Sequence, residues 1–183
     1  MKIGSVDLEK DVLVIAEIGN NHEGDFGLAK EMIAAAARAG AGAVKFQTII
    51  PDKLVSVKEK ETINLFKKFE FSQKQFVALK DFADQAGVLF LSTPFDPESA
   101  KFLEPLVPAF KIASGDNNYW PLIQCVAATG KPIILSTGMA DFKSINKAKE
   151  FIESRWKAHG ISQSLIILHC VSLYPTPPDL ANL

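Results

Sequence analysis

The chain predicts a parallel α/β fold of the (β/α)8 barrel type, with about six of the eight βα units present in its 183 residues. Three observations predict it. Short apolar runs recur six times, amphipathic segments lie between them, and polar residues gather at the C-terminal end of each run. Apolar runs that are continuous rather than alternating mark strands covered on both faces, as in a parallel sheet. Strands that alternate with helices are the pattern of a parallel α/β fold.

The strands are read at Val12–Ile18, Ala41–Gln47, Val88–Pro94, Ala109–Ala113, Pro132–Thr137 and Ser164–Cys170. Between them, Gly27–Ala39 carries Leu28, Met32, Ile33 and Ala36 at helical spacing and stops at Gly40. Ser72–Gln85 opens on an N-capping Ser72, buries Phe76, Leu79, Phe82 and Ala83, and ends before Gly87. Pro97–Leu103, Pro121–Ala128 and Ser144–Trp156 repeat the theme. The longest departure is Pro51–Phe71, rich in Lys and Glu, which reads as a solvated helix on an elongated loop or as a lid over a site. A complete barrel of this type runs to about 250 residues. Residues 1–183 are therefore expected to be the N-terminal part of a barrel domain.

Composition excludes several classes. Hydrophobic residues make up 48% and charged residues 22%, with a net charge of −1 and a pI near 6.3. Nothing in that balance attracts nucleic acid or an anionic membrane surface. No apolar stretch approaches the roughly 18–20 residues that span a bilayer. The charged N-terminus is unlike a secretion signal. Cys125 and Cys170 form no paired motif and read as buried, inert thiols in a cytoplasmic protein.

The chemistry concentrates at the strand ends. Glu17 closes the first strand, and Lys45 and Gln47 lie on the second. Ser92 and Thr93 end the third, Lys111, Ser114 and Asp116 the fourth, and Ser136 and Thr137 the fifth, while His169, Ser172 and Tyr174 follow the sixth. In α/β folds the strand C-termini face one side, where sites form. Two lysines, several hydroxyls and the N–H groups around Ser114 suit a small anion carrying phosphate and carboxylate. Glu17 and Gln47 suit a polyhydroxylated or carbonyl partner. Neither a dinucleotide fingerprint nor a Walker-A loop is present.

Blander readings stand beside these. Lys45 could simply pair with Glu17, since buried charges need partners. His22 reads as a loop-ordering hydrogen bonder, His159 as incidental, and Asn117, Asn118 and Trp120 as shapers of the turn before the Pro121 helix. Lys45 or Lys111 could also form a Schiff base, as strand-borne lysines do in some barrel aldolases. An imine-forming lyase and a non-catalytic sugar-binding barrel are thus the rival functions.

The segments AEIGNNHEGD, VKFQT, STPFD, KIASGDNNYWPLI, KPIILSTGM and LHCVSLYPTPP resemble, in order, the motifs of the sialic acid synthases and their relatives that make legionaminic, pseudaminic or spore-coat sugars. The resemblance implies a (β/α)8 barrel followed by a small antifreeze-like domain, in a homodimer. It implies condensation of phosphoenolpyruvate with an open-chain N-acylated amino sugar, assisted by Mn²⁺ or Mg²⁺. By motif, Lys45, Thr93, Lys111, Ser114 and Ser136 would hold phosphoenolpyruvate, and Gln47 and Tyr174 would face the sugar together with Glu17 and Asp116, the expected catalytic residues. Ser172 stands at a phosphate-contacting position where some members carry Asn, and Asp116 where some carry Glu. The family's metal-binding histidines belong to later motifs, so no metal ligand is assigned to this chain, and the 183 residues alone are expected to be inactive.

Overall fold

A computed structural model describes residues 1–183. The six expected strands are all formed: β3 (Ile15–Gly19), β4 (Ala43–Thr48), β5 (Leu89–Pro94), β6 (Phe110–Ile112), β7 (Ile133–Ser136) and β8 (Leu165–Leu168). They are preceded by an antiparallel pair of two-residue strands, β1 (Lys2–Ile3) with β2 (Val6–Asp7), too short to show a period in the sequence. The six strands form two parallel sheets, in the orders β3-β4-β5 and β6-β7-β8, and no closed barrel is seen. Strands β5 and β6 lie side by side at the junction without sharing a ladder of hydrogen bonds.

Period-two alternation divides the residues of each strand between the two faces of the sheet. Val44, Phe46, Phe90, Phe110, Ile112, Ile133 and Leu135 turn outward and meet Ile33, Leu79, Leu122 and Ile152 of the covering helices in the main core. Ala43, Leu91, Ala109 and Ile134 turn the other way and form a second, smaller core that Ile3 of β1 closes from below. Continuing along the same inward rows, the next positions are Lys45, Gln47, Thr93, Lys111 and Ser136. The inner face is therefore apolar at its floor and polar at its top.

The helices are α1 (Phe26–Arg38), α2 (Pro51–Leu54), α3 (Lys60–Phe69), α4 (Gln73–Gln85), α5 (Pro97–Leu103), α6 (Trp120–Ala128) and α7 (Phe142–Ala158). Short polar side chains start four of them. Asp25, Asp96 and Asp141 accept from backbone N–H groups of the first turn, and Ser72 with Gln75 completes a capping box. Pro51–Phe71 differs from the single helix expected. Val55 becomes extended and ends α2, and Ser56 then turns the chain by accepting from Glu59 N at its carbonyl and from Lys58 N at its hydroxyl. Side chains that bond neighbouring backbone compete with helix in this way.

The first strand starts later than read: Val12 and Val14 are 89% and 58% exposed, because no element covers that edge. At the other edge, Ile167 on the outer face of β8 is 43% exposed and has no helix over it. No helix is long and apolar enough to cross a membrane.

Candidate active site

At the polar end of the strands lies a cavity of about 930 Å³. Glu17, Lys45, Gln47, Thr93, Lys111, Ser114, Ser136, Ser172 and Tyr174 all line it. Asp116 does not. It sits on the 3-10 turn Ser114–Asp116 after β6, half-buried and outside the lining, where burial raises its carboxyl pKa against the opposing charge of Lys111. Ser92 is also lost from the site, because its strand position faces outward; there its hydroxyl bonds that of Thr48 at 2.7 Å.

Two ammonium groups define the electrostatics. Lys45 Nζ lies 2.5 Å from Glu17 Oε2 and donates to Thr93 Oγ1 at 3.1 Å. The blander pairing of Lys45 with Glu17 is thus present, and the pair stands inside the cavity. Lys111 Nζ donates only to the carbonyl of Ile112, at 2.8 Å, and has no carboxylate partner. Burial and then the repulsion of Lys45 pull its pKa down to about 8. An ammonium that is buried without a counter-ion is stabilised by an incoming anion, which supplies the missing charge.

Three loops meet beside it. Ser114 Oγ accepts from Gly138 N at 3.0 Å. A Cβ on Gly138 would lie 2.6 Å from Ser172 Oγ and 2.9 Å from Ser114 Oγ, so only glycine lets these hydroxyls converge. Thr137 Oγ1 donates to the carbonyl of Leu168 at 2.8 Å and ties this turn to β8.

Sequence reasoning missed several neighbours of the site. Asn20, Asn21, Phe69 and Met139 also line the cavity. Phe69 brings the end of α3 to its rim, so the Pro51–Phe71 segment borders the site, while its Lys-rich face stays in water. Cys170, read as inert, is half-buried on the cavity wall. Burial pushes its thiol pKa up, but hydrogen bonding with Ser136 and the Thr137 backbone, with the charge of Lys111, outweighs this and leaves it below the ordinary value. The signal available was its place at the end of a strand whose neighbours all carry polar groups there. His22 is buried, accepts from Gly24 N at 3.0 Å and stacks on Phe71 at 4.2 Å, which orders the loop after β3. His169 points away, bonding the carbonyl of Ala181 at 2.6 Å.

A model of the NeuB family matches residues 32–183. The chain belongs to the NeuB family. Among relatives, an uncharacterized protein of Methanocaldococcus jannaschii is 42% identical over the whole of this chain and 53% of its own length. The N,N'-diacetyllegionaminic acid synthase of Legionella pneumophila is 37% identical over 93% of this chain and 51% of its own. The crystal structure of an N-acetylneuraminic acid synthetase from Leptospira borgpetersenii, in complex with citrate, superposes with a TM-score of 0.90 at 36% identity, covering 100% of this chain and 62% of that one. This NeuB-family chain thus spans about half the length of the curated relatives it matches.

The family implies a divalent ion, and the residues present can be tested for it. No three His, Cys, Asp or Glu side chains converge anywhere in the chain. Glu17, on the cavity wall, is already bonded to Lys45. Two cations in one cavity repel a third. These residues do not fit a divalent ion.

Proposed function

We propose that the protein carrying this chain condenses phosphoenolpyruvate with an N-acylated amino sugar, giving a nonulosonic acid and inorganic phosphate, on a (β/α)8 barrel of which these six strands are the first part. The observation that carries this is the unpaired, buried Lys111 beside the Lys45–Thr93 pair in the cavity. The names of the relatives support it, as does the citrate, a small polyanion, held by the Leptospira borgpetersenii structure.

In this reading Lys45, Thr93, Lys111, Ser114 and Ser136 hold the phosphate and carboxylate, with Ser172 at the phosphate. Glu17, Gln47 and Tyr174 face the sugar, with Asp116 approaching it from the turn after β6. Phosphoenolpyruvate C3 forms the new bond to the aldehyde carbon, whose oxygen takes a proton and becomes a hydroxyl. Water adds to the cationic C2, and the resulting hemiketal phosphate loses inorganic phosphate to leave the 2-keto acid. The lysines neutralise the phosphate as it departs, and the cavity replaces the entropy lost in bringing two substrates together. A Mn²⁺ or Mg²⁺ ion, a homodimer and a cytoplasmic setting belong to the same proposal, with the metal held by groups other than those present here.

The test is phosphate release by the full-length protein with phosphoenolpyruvate and N-acetylmannosamine or a diacetamido hexose. Release that depends on both substrates and stops with EDTA is expected; no release with any acylated amino sugar overturns the proposal. One observation favours a second reading. A lysine desolvated beside another cation, as Lys111 is, suits imine formation. Borohydride trapping of a pyruvyl-Lys111 adduct, seen by mass spectrometry, would replace the synthase with a lyase.

A further inference from the structure

We infer that Asn20 is a positioning residue that sets the polarity of Gln47, so that the site demands a hydrogen-bond-accepting oxygen from the sugar; this rests on the proposed synthase reading. Asn20 Nδ2 donates to Gln47 Oε1 at 2.8 Å across the loop after β3, and both residues line the cavity. An amide has one acceptor end and one donor end, and the polarity of this one follows from Asn20 at the acceptor and the Glu17 carboxylate on the donor's side of Gly19. With Oε1 engaged, Gln47 Nε2 is left with no partner in the protein. It carries two N–H donors towards the cavity.

The surroundings sharpen what those donors would meet. Gly19 has φ +55°, and the point its Cβ would occupy lies 3.3 Å from Glu17 Oε1 and 3.7 Å from Gln47 Nε2. A free carboxylate oxygen and a free amide N–H thus flank one bare stretch of backbone. Glu17 Oε2 is held by Lys45, which leaves Oε1 as the open acceptor. A ligand group placed there needs a donor towards Glu17 and an acceptor towards Gln47. A sugar supplies this as a hydroxyl beside a carbonyl or a second hydroxyl oxygen. Phosphoenolpyruvate, an acceptor at every oxygen, would meet repulsion from Glu17 and belongs at the lysines instead. Asn20 therefore governs the sugar half of the site and leaves the anion half untouched.

The experiment uses the full-length protein, Asn20→Ala and the isosteric Asn20→Asp, with each substrate varied in turn. Asn20→Ala frees the amide and should raise the sugar's KM about tenfold, the effect of losing roughly 1.4 kcal/mol of hydrogen-bond energy, with the phosphoenolpyruvate KM within twofold. Asn20→Asp offers only acceptors, so it draws Gln47 Nε2 to itself and points Oε1 at the sugar. Its loss in kcat/KM for the sugar should be larger, about 100-fold. In a Gln47→Ala background neither change should cost anything further, because the residue acts through that amide. Losses that add in that background, equal shifts in both KM values, or an Asn20→Asp no worse than Asn20→Ala would each overturn the inference. A wild type that releases no phosphate fails earlier, at the proposed function, and takes this inference with it.

Discussion

Lys111 shows most directly how one buried residue makes stability depend on pH, and in the proposed function it trades that stability for binding. Its folded pKa of about 8 lies below the ordinary 10.5, because burial and Lys45 both oppose its charge. Below about pH 8 the ammonium is present and costs folding free energy. Between about 8 and 10.5 the unfolded chain binds the proton that the folded chain has released, so stability from this group rises with pH across that window. Anion binding runs the opposite way, since the neutral amine attracts no phosphate. Phosphoenolpyruvate affinity, followed by titration calorimetry, should therefore fall as pH rises through about 8, and Lys111→Arg should move that fall to higher pH. Lys111→Met should raise the melting temperature at pH 7 and abolish anion binding. A stable variant that still binds the anion with unchanged affinity would remove Lys111 from the site.

At the scale of elements, caps carry much of the legible information. Ser72 is readable as an N-cap, and the structure forms it and adds Gln75 to complete a capping box. Asp96 does more than a cap. It accepts from Glu98 N at 2.8 Å, from Ser99 N at 3.0 Å and from Ser99 Oγ at 2.5 Å, while 4% exposed. Asp96→Ala removes the acceptor for all three donors and should cost about 2 kcal/mol, the upper range for a lost N-cap, as a reduced urea midpoint with unchanged slope. What escaped sequence reading at this scale has physical causes. A two-residue strand such as β1 has no period to detect, and the end of α2 depends on Ser56 choosing its own backbone over the helix. Asp116 stands on the 3-10 turn after β6, outside the cavity lining, and composition does not report where a turn falls.

For the whole molecule, the inward rows were readable as strands but not as a layered interior. Lys45, Gln47, Thr93, Lys111 and Ser136 stand at the strand ends, and alternation brings them to one cavity. Ser92, one residue out of phase, went to the other side. The floor beneath depends on a residue remote in sequence from most of what it touches. Ile3 is 1% exposed against Ala43, Leu91, Ala109 and Ile134. Ile3→Ala should cost about 2–4 kcal/mol through the cavity it leaves, read as a lower melting temperature, whereas the exposed Val12→Ala should change little. A neutral Ile3→Ala would mean that the strands hold their floor without β1.

The junction between β5 and β6 has a consequence for how this protein coheres. Glu17, Lys45, Gln47 and Thr93 belong to the sheet on one side of it, and Lys111, Ser136 and the loops bearing Ser114, Ser172 and Tyr174 to the sheet on the other. No backbone ladder crosses that line, so the halves are joined there by side-chain packing and by the chain itself. An anion gripped by Lys45 and Lys111 together is a rivet through both plates. By linkage, whatever free energy it gains in binding resists the halves sliding apart. In the proposed function, the grip on the anion and the stiffness of the fold would then be one quantity seen from two sides.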